Sequence, residues 1–239
     1  MFRMSEEGFR MVAKMTLDFY QILYKEEQRA QLYDFAKPVF SIGLTPYFEN
    51  QFIATLVPQS NADYISVCSW RLRQKRGDIT YALGGHGRDA LSVEKIEGAM
   101  PFDVAILTPR SANHQALNMV AHWHGKAWVD AFNAFKPFLS KFGKVPEELK
   151  WPIYENHFIA RKEIYHDYVK SYLLPAVEYC GDDLVYFVDS LYTPKKKNSA
   201  EIQRVQKLLK ANDWPILPFL LERLFSFYIN DKNLNVIKL

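Results

Sequence analysis

The pattern of hydrophobic and polar positions is most regular in residues 151–180. The polar cluster Glu155-Asn156-His157 precedes a short apolar run at 158–160, and apolar residues then recur in pairs at helical spacing over 161–179. The pattern predicts a loop, a buried strand and a long amphipathic helix in that order. Hydrogen-bonding side chains ahead of a buried strand are placed where a rigid scaffold directs polar groups into a cleft.

Two other apolar runs predict buried strands that are parallel to each other. Residues 61–73 contain a nearly continuous β-rich run around Tyr64 to Cys68, and residues 104–107 form a shorter one. Ligands bind at the carboxyl ends of the strands in open α/β sheets. The polar side chains at the end of the first run are therefore candidate site residues: Ser69, Trp70, Arg71 and Arg73.

The remaining segments predict an alternation of strands and helices. In the first part of the chain they are a weak strand at 8–15, a helix at 17–36, a helix that begins at Thr45-Pro46 and ends at Pro58, and a glycine-rich loop at 77–92. Later segments predict a helix at 111–142, a helix continuation or short strand at 184–192, a helix at 218–229 and a last strand at 235–239. Such alternation is typical of an α/β fold.

Composition excludes several classes of protein. With 239 residues, the chain is long enough for one large core, so we expect a single domain over 1–239. Hydrophobic residues at 49% and aromatic residues at 15% exclude a disordered protein. A net charge of +3 is too small to indicate a nucleic-acid binder.

The sequence also indicates a cellular location and the state of the cysteines. The N-terminal residues lack the apolar core of a signal peptide and no segment has the length of a membrane span, so we expect a cytoplasmic protein. The aromatic surplus and the lysines at 195–197 leave peripheral contact with the inner face of a membrane open, beside the interpretation as a solvated loop. Cys68 and Cys180 have no metal-ligand spacing, which favours buried thiols over a disulfide.

Four stretches, taken in order, resemble one bacterial family. They are ADYISVCSWRLR at 62–73, FDVAILTP at 102–109, YENHFIARKEIYHDYVKSYLLP at 154–175 and PFLLERLFSFYI at 218–229. Together they are similar to the capsular-polysaccharide-type glycosyltransferase-like family of the nucleotide-diphosphosugar transferase clan. Ser69-Trp70 stands where that family has His-Tyr, and residues 9–14 alternate weakly where the family has a firm first strand.

The resemblance implies a GT-A-like α/β domain with a mixed, mainly parallel sheet flanked by helices. It also implies a glycosyltransferase of the hexosyltransferase type, which uses a nucleotide-sugar donor and extends a surface-polysaccharide precursor as glycan acceptor. The alternative is a non-catalytic relative of the same fold that binds carbohydrate or serves in assembly. The oligomeric state is left open.

Glycosyl transfer needs a group that neutralises the diphosphate and a base for the acceptor hydroxyl. Arg71, Arg73 and Lys75 are candidates for the diphosphate, and Glu155 and His157 are candidate catalytic residues for the hydroxyl. The other predicted substrate or donor contacts are Ser69, Trp70, Asn156, Asp103, Glu222 and Arg223, with an internal ion pair as the alternative for the last two.

Metal dependence and aromatic stacking are further open points. The sequence contains no Asp-x-Asp pair. Asp182-Asp183, Asp63 and Asp103 are candidate ligands for Mn²⁺ or Mg²⁺, but a turn or a strand edge explains these aspartates equally well. His122 and His124 point to different faces of a helix, while the neighbouring Trp123 and Trp128 are suited to stacking on sugar rings. The sequence therefore assigns no metal ligand. Its central prediction is spatial: residues 69–73 and 155–157 meet at one rim of the sheet.

Overall fold

The computed structural model describes residues 15–41, 49–82, 91–108, 126–153, 155–185, 217–230 and 232–239. Several predictions fall outside these ranges: the strand at 8–15 except for its last residue, the cap at Thr45-Pro46, His122, Trp123, His124 and the lysines at 195–197.

One six-stranded sheet organises the described residues. Its strands, in chain order, are β1 Leu17–Leu23, β2 Lys37–Phe40, β3 Tyr64–Ser69, β4 Val104–Ile106, β5 Phe158–Arg161 and β6 Val236–Lys238. In space the order is β2-β1-β3-β5-β4-β6, and β5 alone runs against the other five. The prediction of an α/β fold with a mixed, mainly parallel sheet is confirmed.

Helices cover both faces of this sheet. They are α1 Glu49–Leu56, α2 Leu72–Ala82, α3 Val93–Ala99, α4 Lys126–Leu139, α5 Lys162–Tyr168, α6 Leu174–Val185 and α7 Leu217–Asn230, with 3₁₀ turns at Glu26–Gln31, Val57–Gln59 and Ser140–Phe142. Apolar side chains of α1, α4, α5, α6 and α7 form one core with Ile22 and Val67 of the sheet. Leu72 of α2 and Ile96 of α3 form a second core with Phe19 on the other face.

The junction between β3 and β5 is short. Their backbones pair at only two positions, Tyr64 with Arg161 and Ile65 with Ala160. Beyond these pairs, side chains of β3 make the connection: Ser66 Oγ donates to the Phe158 carbonyl at 2.7 Å, and Cys68 Sγ lies 3.6 Å from the Asn156 carbonyl. The sheet is therefore joined by side chains where β3 reaches its carboxyl end.

Residues 17–36 do not form the predicted helix. They form β1, the 3₁₀ turn Glu26–Gln31 and the approach to β2. Phe19, Ile22 and Leu23 fit helical spacing, but Phe19 packs in one core and Ile22 in the other. A strand that is buried on both faces loses the alternation that identifies strands, so the helical prediction was wrong.

The later strand and helix predictions agree with the structure. β3 and β4 lie inside the predicted runs and point the same way, and β6 lies inside the strand predicted at 235–239. The predicted loop at 77–92 is wrong in its first part, since α2 continues to Ala82.

The predicted long helix after β5 is present, with one irregularity. It runs through α5, a π-helical turn at Val169–Leu173 and α6. Phe225 of α7 stacks on Phe158 with ring centroids 3.9 Å apart, which anchors the last predicted helix on β5. Strand and helix together hold the residues that precede β5 in place.

Among the described residues, no helix combines the length and apolar character needed to cross a membrane.

Candidate functional site

The two distant polar segments meet at the carboxyl edge of β3. Ser69 Oγ, at the end of β3, lies 3.2 Å from His157 Nε2, which directly precedes β5. Because β5 runs against β3, residues before β5 reach the same edge as residues after β3. The predicted convergence of the two segments is therefore present for Ser69 and His157.

Glu155 and Asn156 form a left-handed turn ahead of His157. Their φ angles are 60° and 55°, and the Phe158 amide donates to the Asn156 carbonyl at 3.1 Å. Asn tolerates this conformation, but Glu adopts it rarely, and each such residue costs about 1–3 kcal/mol where the surrounding structure enforces it. Strain of this kind concentrates at functional sites.

Charged and titratable groups connect the turn to α2. Lys75 Nζ lies 3.0 Å from Glu155 Oε1, and His157 Nδ1 lies 3.6 Å from Glu155 Oε2. The His157 side chain is 0% exposed, whereas the Glu155 side chain is 30% exposed. Glu155 is therefore the member of the Ser69–His157–Glu155 chain that an external ligand reaches.

The three predicted cations differ in what they contact: Lys75 pairs with Glu155, and the Arg71 charge acts on Glu49. Arg71 and Lys75 are one helical turn apart, with the Lys75 amide donating to the Arg71 carbonyl at 2.9 Å. Arg73 is directed elsewhere: its Nη1 donates to the Leu32 carbonyl at 3.2 Å and its guanidinium lies 5.9 Å from the Tyr33 ring centroid. Arg73 therefore braces the loop after the first 3₁₀ turn.

The start of α1 adds two residues that the sequence did not indicate. Tyr24 Oη, just after β1, donates to Glu49 Oε1 at 2.9 Å, and Asn156 Nδ2 lies 3.4 Å from Asn50 Oδ1. Burial raises the pKa of Glu49, and the Glu155 charge adds to this, while the Tyr24 hydroxyl and Arg71 oppose it. Glu49 thus belongs to the same electrostatic cluster as Glu155 and Arg71.

Nothing in the sequence distinguished Glu49. It lies in the helix predicted to begin at Thr45-Pro46, which was interpreted only for its capping residues. No motif or spacing set its carboxylate apart from the other acidic residues. Its position depends on Tyr24, which sits at the end of a strand that the sequence predicted as helix.

Helix α7 brings a buried ion pair close to the cluster. Arg223 Nη1 lies 3.3 Å from Glu222 Oε2, and both side chains are buried. Burial raises the pKa of Glu222 to about 8, and the charges of Glu49 and Glu155 act in the same direction, while Arg223 opposes the shift. The predicted internal ion pair is present, and its carboxyl group is under the influence of the two site glutamates.

Two predicted contacts lie apart from this cluster or take part only through the backbone. Asp103, at the amino end of β4, accepts from the Asn235 amide at 2.8 Å and lies 3.5 Å from Arg161 Nη1, at the opposite edge of the sheet. The Trp70 amide donates to the Ile22 carbonyl at 3.0 Å, which ties the turn after β3 to β1, and its side chain is half-buried. Asp103 is not brought to the site.

The side chains of the cluster do not fit a metal ion. No group of three or more His, Cys, Asp or Glu side chains in the described ranges is arranged to hold one. Asp63, one of the proposed ligands, accepts from Thr16 Oγ1 at 2.9 Å at the opposite edge. Glu155 and Glu222 are each paired with a cation. Arg71 and Lys75 fit direct neutralisation of a diphosphate, as in other charge-assisted phosphate contacts.

Both cysteines are buried free thiols, as the sequence predicted. Burial raises the pKa of each to about 12.

Comparison with protein-family models, with curated proteins and with solved structures gives no match in any of the three.

Proposed function

We propose that this chain is a GT-A-like glycosyltransferase, which transfers a sugar from a nucleotide-sugar donor to a surface-polysaccharide precursor. The observation that carries the proposal is the polar cluster at the carboxyl edge of β1 and β3, where Ser69, Lys75, Glu155 and His157 connect two distant segments. Ligands of open α/β sheets bind at this edge. The resemblance of four stretches to a glycosyltransferase-like family supports the same activity.

The first strand adds support that the sequence did not provide. β1 is Leu17–Leu23, whose last three residues are fully buried, and Tyr24 follows at the edge where the cluster lies. The weak pattern at 9–14 therefore does not represent the strand beside the site. A firm first strand is what the family resemblance requires for a donor nucleotide.

The chemistry divides between the two sides of the cluster. Arg71 and Lys75 neutralise the diphosphate of the donor, because ion pairs to phosphate oxygens are among the stronger hydrogen bonds. Glu155 accepts the proton of the acceptor hydroxyl. The acceptor oxygen then forms a bond to the anomeric carbon, the bond from that carbon to the phosphate oxygen breaks, and the nucleoside diphosphate leaves with the electron pair.

His157 acts through its neighbours in this scheme. Its ring is fully buried and contacts both Ser69 and Glu155, and Glu155 is the more exposed of the two carboxylate–imidazole partners. We assign His157 as a positioning residue that fixes the Glu155 carboxylate. A carboxylate held in one orientation loses less freedom when it receives the proton.

The proposal is tested first by binding. UDP and GDP, and sugars attached to them, are added to the protein in calorimetric titrations and in thermal unfolding, with and without Mg²⁺ or Mn²⁺. A ligand at one hundred times its Kd stabilises the native state by about 2.7 kcal/mol, which raises the melting temperature. Absence of any response to every nucleotide and nucleotide sugar would overturn the proposal.

Turnover separates the enzyme from the non-catalytic alternative. Release of nucleoside diphosphate from a bound nucleotide sugar is measured for the wild type, for Glu155→Gln and for Glu163→Gln. Glu163 is a matched control, because it is exposed in the first turn of α5 at the opposite edge, where its carboxylate lies 3.9 Å from Arg161 Nε.

We expect Glu155→Gln to lower the rate by roughly 10²–10⁴-fold, as removal of a general base does, and Glu163→Gln to leave the rate unchanged. Glycan binding without nucleotide binding or turnover would instead support the carbohydrate-binding alternative.

A further inference from the structure

The site is divided into a cationic half and a hydrogen-bond-accepting half. Arg71 and Lys75 lie on the α2 side. Glu49 lies on the α1 side, and the Glu155–Asn156 turn adjoins it through the 3.4 Å contact between Asn156 Nδ2 and Asn50 Oδ1. A ligand that fits both halves is anionic at one end and rich in hydroxyl or amide hydrogens at the other.

A buried acceptor in the second half points independently to a ligand. The Asn156 side chain is 1% exposed, and among the described residues its Oδ1 has no hydrogen-bond partner. An unpaired buried acceptor costs about 1–3 kcal/mol, so it persists where a ligand or water completes it. The other atom of the same amide contacts Asn50, which places this acceptor at the junction of α1 and the turn.

The ion pairs of the cluster explain how the two halves work together. Without a ligand, Lys75 is neutralised by Glu155, and the Arg71 charge acts on Glu49. A diphosphate takes over the two cations, because it is a stronger partner for them. The Glu155 carboxylate then loses the Lys75 ammonium, and hydroxyl groups of the ligand donate to it in its place.

We propose that Glu49, Glu155 and Asn156 form the sugar-binding half of the site, and that it selects an uncharged donor sugar over an acidic one. This inference rests on the proposed function. A sugar carboxylate in this half faces the negative charges of Glu49 and Glu155, and like charges at close range oppose binding. Neutral or N-acylated hexoses supply the O–H and N–H donors that the three side chains accept.

The experiment uses donor pairs that differ mainly in one charge. Affinities of UDP, UDP-glucose and UDP-glucuronate are measured by calorimetry, with GDP, GDP-mannose and GDP-mannuronate as the equivalent set. Each ligand is titrated into the wild type, Glu49→Gln, Asn156→Gly and the control Glu163→Gln. Glycine accommodates the left-handed backbone at position 156 and removes the whole Asn side chain, while Gln at position 49 keeps an acceptor for Tyr24.

For the wild type we expect the affinity for the uronate donor to be lower than that for the neutral donor by a factor of about ten or more. The reason is the repulsion between like charges that no cation compensates. Glu49→Gln reduces this preference several-fold. Asn156→Gly weakens binding of the neutral nucleotide sugar and leaves the affinity for the free nucleoside diphosphate within a factor of about two, since it removes no phosphate contact. Glu163→Gln changes none of these values.

Two kinds of failure are distinguishable. If the nucleoside diphosphate binds but the wild type takes neutral and acidic donors equally, or if Glu49→Gln keeps the full preference, the sugar-binding assignment is wrong and the proposed function stands. If neither nucleotide nor nucleotide sugar binds the wild type, the proposed function fails and this inference with it. The melting temperature of each variant shows whether a loss of affinity is caused by unfolding of the protein.

Discussion

Ser69 and His157 are 88 positions apart in the chain, and their side chains lie 3.2 Å apart in the fold. Ser69 ends a strand that runs toward the site, and His157 precedes a strand that runs away from it. Both side chains are buried, so their contact contributes to stability as well as to the geometry of the site.

Ser69→Ala tests the contribution of this contact to stability. The substitution removes a partner of the buried His157 ring, and we expect the free energy of unfolding to fall by about 1–3 kcal/mol. Urea denaturation measures the change. Ser171→Ala is the control, because Ser171 is half-exposed and its hydroxyl donates to Asp167 in the preceding helical turn, so its loss should stay within about 0.5 kcal/mol. Equal stability of Ser69→Ala and the wild type would contradict the prediction.

Lys75→Met and Arg73→Met test the proposed contact between α2 and a diphosphate. Lys75 faces Glu155, whereas Arg73 is bound to the Leu32 carbonyl. Loss of a charge-assisted bond of about 1.5–3 kcal/mol corresponds to a tenfold or greater loss of nucleotide affinity for Lys75→Met. We expect Arg73→Met to keep the affinity and to lose some stability. Calorimetric titration with UDP and GDP gives both affinities, and the reverse order would place the phosphate site on the other side of α2.

Glu222→Gln tests the raised pKa of the buried carboxyl group in α7. Its pKa lies at about 8 in the folded protein against an ordinary value of 4.5. Between these values the unfolded chain has released the proton that the folded state retains, so rising pH destabilises the wild type in this window, by at most about 1.4 kcal/mol per pH unit. Below the window both states hold the proton, and above it both have lost it.

The stability of Glu222→Gln relative to the wild type should therefore increase from pH 5 to pH 8. Guanidinium denaturation at intervals of one pH unit measures the difference. The exposed control Glu163→Gln should show no such drift. A difference that stays constant across this range would show that Glu222 is ionised in the folded protein.

The two cysteines should be unreactive in the native protein. Cys68 and Cys180 are buried, and a pKa of about 12 leaves very little thiolate at pH 8. A thiol reagent such as 5,5′-dithiobis(2-nitrobenzoic acid) should modify both in denaturant and neither rapidly in buffer. Fast native labelling of Cys68 would mean that the junction between β3 and β5 opens readily.

The sequence predicted the elements whose pattern matches one kind of structure alone. The run at 158–160 with its following helix, the run ending at Ser69 and the apolar helix at 218–229 all appear where expected. These segments are long or strongly patterned, so local chemistry and tertiary packing favour the same structure. The predicted contact between the segments after β3 and before β5 is present because β5 runs antiparallel to β3, a direction that the sequence pattern did not predict.

The predictions are wrong where a sequence pattern fits both a helix and a strand. They are incomplete where contacts between distant segments determine which residues meet. Phe19, Ile22 and Leu23 fit a helix as well as a strand that is buried on both faces, and burial in two separate cores decided for the strand. Arg73 was grouped with Arg71 and Lys75 because the predicted strand ran to residue 73, whereas α2 begins at Leu72 and directs Arg73 to another side. Glu49 joins the site only through Tyr24 and the Asn50–Asn156 contact, which no local pattern encodes.

The short ladder between β3 and β5 divides the sheet into two three-stranded halves, β2-β1-β3 and β5-β4-β6. Near the site these halves are connected by the side chains of Ser66, Cys68 and Ser69 and not by a continuous ladder of backbone hydrogen bonds. The contacts that set the angle between the halves thus lie at the edge that carries the candidate site. We therefore expect a ligand bound at this edge to slow amide exchange in both halves together.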